Sequence, residues 1–123
     1  MFADTKAFSG FAVKDIQSAR QFYGDTLGIK TSEANEILTL HLAGDRDTII
    51  YAKPDHVPAN FTILNFVVDD IDKAVDEMTA AGVEFARYPG FDQDARGIFR
   101  GGGPLIAWFT DPAGNILSVL QQS

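Results

Sequence analysis

The sequence predicts an α+β fold of two tandem βαβββ units, a curved mixed sheet around a cleft with the helices outside. Three observations predict it. The second half repeats the first at a shift of 55 residues: Phe8 falls on Ile63, Phe11 on Phe66, Val13 on Val68, Asp15 on Asp70, Ile16 on Ile71 and Ala19 on Ala74. In both halves an apolar run leads into an Asp suited to cap a helix, and a single deletion then brings the helix-stopping Gly28 onto Gly82. Finally, each half ends in short apolar, β-branched runs separated by turns. A lone unit would cover one sheet face with its helix and leave the other bare. Pairing two units supplies that cover and leaves a cleft between them.

The elements follow in order. Residues 7–13 (AFSGFAV) form a first strand that ends at Lys14-Asp15, and Asp15 caps a helix. Ile16, Ala19, Phe22, Tyr23 and Leu27 recur at helical spacing up to Gly28. Residues 29–32 and 36–42 are strands, Gly44-Asp45 is a turn, and residues 48–52 (TIIYA) are the next strand. Residues 54–59, with two prolines and no periodicity, link the repeats, which run over about 5–53 and 60–121 within one domain. In the second repeat residues 61–68 are a strand, and Asp69-Asp70 opens a helix whose face is Ile71, Ala74, Val75, Met78 and Ala81. Residues 83–87 are a strand, and residues 88–103 are a loop with a short strand near 98–100. Residues 104–109 and 116–120 pair as a hairpin across Asp111-Pro112-Ala113-Gly114-Asn115, where Pro fixes φ and Gly and Asn accept the left-handed region.

Bulk properties exclude several classes. The 123 residues contain no cysteine, so disulfides, thiol catalysis and thiolate metal sites are out. A net charge of −7 disfavours nucleic acid and leaves room for a cationic ligand. No apolar run approaches the roughly 20 residues needed to span a bilayer. The N-terminus lacks a basic region followed by an apolar one, so a cytoplasmic location is expected.

The hairpin TDPAGNILSVLQ, the helix ending FYGDTLGI and the paired Asp-Ile helix openings together resemble the glyoxalase/bleomycin-resistance/extradiol-dioxygenase group, the vicinal-oxygen-chelate superfamily. That resemblance runs over nearly the whole chain. In the metal-dependent members it implies ligands, often His and Glu, on the first and last strands of each half. The matching positions here are Phe8 and Ile63, a position at or beside Tyr51, and Ser118. Phe and Ile cannot ligate, and neutral Tyr or Ser oxygens replace imidazole and carboxylate poorly. No metal and no other cofactor is therefore expected.

The remaining chemistry is sparse. His41 is in step with Ile37 and Thr39, and alternation does not choose its face; it is the one candidate for a catalytic base. His56 lies in the linker and is expected in solvent. Asp69, Asp70 and Asp72 read as helix-start carboxylates. Gly101-Gly102-Gly103 reads as a hairpin entry rather than a phosphate loop. Serines 9, 18, 32, 118 and 123 show no local partner that would make a nucleophile. Arg96 and Arg100 suit either an anionic ligand group or ion pairs with Asp92 and Asp94, with the ion pairs ahead. Trp108 shares a strand face with Ile106, and the pattern leaves open whether that face is the cleft or the core.

The reading that follows is a metal-independent small-molecule-binding protein of this superfamily, expected to be a homodimer. An aromatic or amphipathic ligand would be lined by Phe8, Tyr51, Ile63, Trp108, Ser118 and Arg100, as in drug or toxin sequestration. The rival is an enzyme: a glyoxalase-like lyase or isomerase, or a dioxygenase-type enzyme, with a rebuilt metal site, or a metal-free catalyst using His41.

Overall fold

A computed structural model describes residues 1–122 as two units, one comprising residues 1–56 and the other starting at Val57. In the first, β1 (Ser9–Val13) is followed by α1 (Ile16–Arg20), β2 (Thr31–Ala34), β3 (Ile37–Leu40) and β4 (Thr48–Ala52). The sheet order is β1-β4-β3-β2, with β1 parallel to β4 and the other pairs antiparallel. In the second, β5 (Thr62–Val67), α2 (Ile71–Ala80), β6 (Leu105–Thr110) and β7 (Ile116–Gln121) give a sheet of order β5-β7-β6, with β5 parallel to β7. No helix among the described residues is long and apolar enough to cross a membrane.

The repeat is visible in the caps. Asp15 accepts a hydrogen bond from Ser18 N–H and Asp70 accepts one from Lys73 N–H, each three residues into its helix. Gly28 and Gly82 both adopt positive φ, as a helix-terminating position requires. The one-residue difference between the two spans has a structural outlet. After α1 the backbone continues as a π-helical turn, Gln21–Thr26, closed by Leu27 N–H donating to Phe22 O five residues back. A π-turn absorbs one extra residue without breaking the helix. The single continuous α-helix expected over the first helical span is thus corrected to a short α-helix running into a π-turn.

Each core sits on one sheet face. Val13, Leu38, Leu40 and Ile50 are fully buried with Ala19 and Tyr23 of the first helical segment, while Ile37, Thr39, Ile49 and Tyr51 alternate onto the other face. In the second unit Ala107, Phe109, Leu117 and Val119 are buried, as are Ile71 and Val75 of α2. Each such Val, Leu, Ile or Phe side chain contributes about 1.5–3 kcal/mol over an exposed one. The closing turn is locked by Asp111, whose carboxylate accepts from the N–H groups of Ala113 and Asn115 and from the Asn115 amide.

The strand expected at residues 83–87 is reduced to one bridge, Phe85 with Phe109, and the short strand near Ile98 to Phe99 bridging Gln93 and Ile106. Side chains replace the missing ladder. The Gln93 amide donates to Ala86 O and Gly97 O and accepts from Tyr88 N–H, and Arg87 donates to the carbonyls of Gln93 and Asp94. These bonds satisfy backbone groups that strand pairing would otherwise have taken.

Candidate functional site

Strand β7 is central in the second sheet, and its register sets one row across it. Ser118 stands opposite Trp108 on β6 and Asn65 on β5. Alternation puts this row on the face opposite buried Ala107, Phe109, Leu117 and Val119. Trp108 therefore does not belong to the core face. Its half-buried ring meets those of Tyr88 at 5.5 Å, Phe91 at 5.4 Å and Phe99 at 6.3 Å, and Phe91 also meets Tyr88 and Phe99. Phe91 is 49% exposed, so the cluster keeps an open aromatic surface. Tilted and edge-on ring contacts of this kind fix the rings at about 0.5–1.5 kcal/mol per pair. Sequence reasoning misses the loop that carries Tyr88, Phe91 and Phe99 as part of a site; the density of aromatic residues there is the signal that could have found it.

Ser118 is fully buried and its hydroxyl donates to Asn65 Oδ1. Ile63 sits at a bulge in β5, the residue skipped between the Thr62–Ile116 and Leu64–Leu117 pairs. Arg100 donates to Asp94 at 2.9 Å and to Asp72 at 2.6 Å, and Arg96 pairs with Asp72 and Asp76. Partial burial raises the Asp94 carboxyl, but Arg100 and the N–H groups of Ile98 and Arg96 outweigh that and hold it below the usual carboxylate range. Asp94 in turn raises the Arg100 guanidinium, so this cation is already committed.

In the first unit Phe8 lies just before β1 and is 70% exposed, and Tyr51 on β4 is 44% exposed. Tyr51, Ala52, Ile37 and the β2–β3 turn residues Asn35 and Glu36 line an open groove of about 720 Å³ with Lys14 and Asp15. The face of His41 is now fixed. It continues the alternation of Ile37 and Thr39, away from buried Leu38 and Leu40. It also has partners: Nε2 is 2.8 Å from Ser32 Oγ, and Nδ1 is 3.2 Å from Asp47 Oδ1. The expectation that the serines lack partners is corrected here. Ser32 meets His41 across the β2–β3 pair, Ser18 donates to Asp15, and Ser118 donates to Asn65. Ser123 lies outside the described residues.

The four positions that the resemblance offers to a metal do not suit one. Two have no donor atom, Ser118 is engaged with Asn65, and Tyr51 supplies only a phenol oxygen. Among the described residues no three His, Asp or Glu side chains gather as a cation would need.

Residues 7–119 match the family model of the Glyoxalase/Bleomycin resistance protein/Dioxygenase superfamily. No curated protein matches the chain. Solved structures do. A glyoxalase family protein from Enterococcus faecalis is similar at 19% identity and TM-score 0.72, covering 98% of this chain and 99% of that one. TnmS3, an antibiotic binding protein from Streptomyces sp. CB03234, is 22% identical at TM-score 0.70, covering 98% of each chain. The fosfomycin resistance protein FosX from Mesorhizobium loti is 14% identical at TM-score 0.67, covering 98% and 93%. At these identities the likeness is one of fold.

Proposed function

Since the chain belongs to the Glyoxalase/Bleomycin resistance protein/Dioxygenase superfamily, we propose that it binds an aromatic or amphipathic small molecule without a metal ion, as in drug or toxin sequestration. The observation that carries this reading is the ring cluster of Tyr88, Phe91, Phe99 and Trp108 on the face of the second sheet opposite its core. Rigid rings with one exposed edge offer a planar ligand a stacking surface at little entropic cost, and the Trp108 indole N–H adds one directional contact. The net charge of −7 favours a cationic compound over an anionic one, and Arg100, held by two carboxylates, is not counted among the ligand contacts. An antibiotic binding protein among the similar folds supports the class of ligand.

The test is a panel of planar cationic and neutral aromatic compounds read by quenching of the sole tryptophan and by thermal shift. A binder in the micromolar range is expected, weakened at least about tenfold by Trp108→Leu. A panel with nothing tighter than millimolar, or a binder indifferent to Trp108→Leu followed by thermal shift, overturns the reading.

The same proposal includes a homodimer. Phe8, Phe61 and Val67 are large apolar side chains at 61–70% exposure, and such residues favour burial against a second copy. Light scattering on the eluting protein is expected to give twice the chain mass; a single-chain mass at micromolar concentration argues against it.

A further inference from the structure

The first sheet builds a Ser-His-Asp row that the ligand-binding reading does not use. Strands β3 and β4 pair with Leu40 opposite Thr48, so the next position sets His41 opposite Asp47. On the other side β2 pairs with Thr31 opposite Leu40, and His41 N–H donates to Lys30 O, which sets Ser32 one pair further along the same face. The outcome is a chain of contacts in the order a nucleophile needs. Ser32 Oγ lies 2.8 Å from His41 Nε2, and His41 Nδ1 lies 3.2 Å from Asp47 Oδ1. With Asp47 accepting from Nδ1–H, Nε2 is left as the acceptor for the Ser32 hydroxyl proton.

The group is reachable. Ser32 is exposed, and the His41 side chain is 34% exposed. It lies on the face away from the Leu38–Leu40–Ile50 core, with Thr39 and Ile49 as the neighbouring row. Strand β2 is the edge of its sheet. The hydrogen bond from His41 to Lys30 sets the phase of the β2–β3 ladder, so the Glu33 N–H, next to Ser32, points off the open edge. A backbone N–H directly after the nucleophile is suitably placed to donate to a developing oxyanion. The Glu33 carboxylate itself turns to the opposite face, toward Arg20.

We propose that Ser32, His41 and Asp47 form a hydrolytic centre for small carboxylic esters. Ser32 Oγ attacks the ester carbonyl carbon while its proton passes to His41 Nε2. The carbon–oxygen bond to the leaving alcohol breaks, and the alcohol takes that proton. Water then attacks the Ser32 ester, giving a proton to His41 and releasing the carboxylic acid; the proton returns to Ser32 Oγ. Ser32 and His41 are the catalytic residues and Asp47 is a positioning residue.

The centre is tested on the whole chain with a fluorophosphonate and with p-nitrophenyl acetate. The expected result is one phosphonyl group per chain, mapped to Ser32 with loss of fluoride, absent in Ser32→Ala and slowed at least about 100-fold in His41→Ala. Ester turnover falls in step. Asp47→Asn lowers kcat with KM unchanged, and Asp47→Glu recovers part of it, which a merely structural carboxylate would not do. His41→Gln replaces His41→Ala should circular dichroism show the latter unfolded. No label at Ser32, an unchanged labelling rate without His41, or equal ester turnover by Ser32→Ala overturns the proposal. None of these outcomes bears on Trp108, whose binding assay stands or falls separately.

Discussion

Asp94 concentrates several roles in one side chain. One carboxylate oxygen accepts from the N–H groups of Arg96 and Ile98, and the other pairs with Arg100. These contacts hold its carboxyl below the usual range in the folded chain. A depressed folded pKa contributes stability above the unfolded value, about 3.9, and loses it as pH falls through the lower folded value. The loop that carries Phe91 and Phe99 should therefore hold firm at neutral pH and loosen only below about pH 4. Hydrogen exchange at Ile98 N–H, followed from pH 6 to 3, checks this. Asp94→Asn should raise that exchange at neutral pH and flatten its acid dependence; an unchanged profile in the variant would mean that the loop is held by other bonds. The Arg96 and Arg100 ion pairs are legible in the sequence as a preference, with Asp92 and Asp94 as partners, and Arg100 does pair with Asp94. Asp72 and Asp76 on α2 are 20 or more residues away along the chain, and only folding brings them to Arg96 and Arg100.

At the level of elements, what the sequence discloses are the signals that are local. Asp15 and Asp70 as caps, Gly28 and Gly82 as stops, and β4 over Thr48–Ala52 all depend on neighbours within a few residues. The π-turn does not. Its cause is the one residue by which the first span exceeds the second, and a gap in an alignment does not say whether the backbone bulges, frays or lengthens its loop. The single bridges at Phe85 and Phe99 were hidden for a related reason. Apolar alternation there suggests strands, yet Gln93 and Arg87 take the carbonyls and N–H groups that a ladder would have used. The Ser32–His41–Asp47 row was hidden more deeply. It depends on the exact register of three strands across the turn at residues 43–46, where Gly44 and Asp45 both take positive φ. A shift of one residue in either pair would put Ser32 or Asp47 on the opposite face from His41 and dissolve it.

For the molecule as a whole, the proposed reading separates this chain from the metal-dependent chemistry of its superfamily, and that separation is open to measurement. At the positions the family uses for metal, Phe8 and Ile63 carry no donor atom, Tyr51 carries a phenol oxygen, and Ser118 is turned to Asn65. A divalent ion held only by the native chain at 100 times its dissociation constant stabilises it by about 2.7 kcal/mol. For a domain of this size that is a rise of several degrees in Tm. Dialysis against a chelator, and then addition of zinc, nickel, manganese or ferrous iron, should each move Tm by less than about one degree. Elemental analysis should find well under one equivalent per chain. The two outcomes are far apart on this scale. A fall of several degrees on chelation would require a ligand set that includes His41, and the reading as a metal-dependent enzyme would then take the lead.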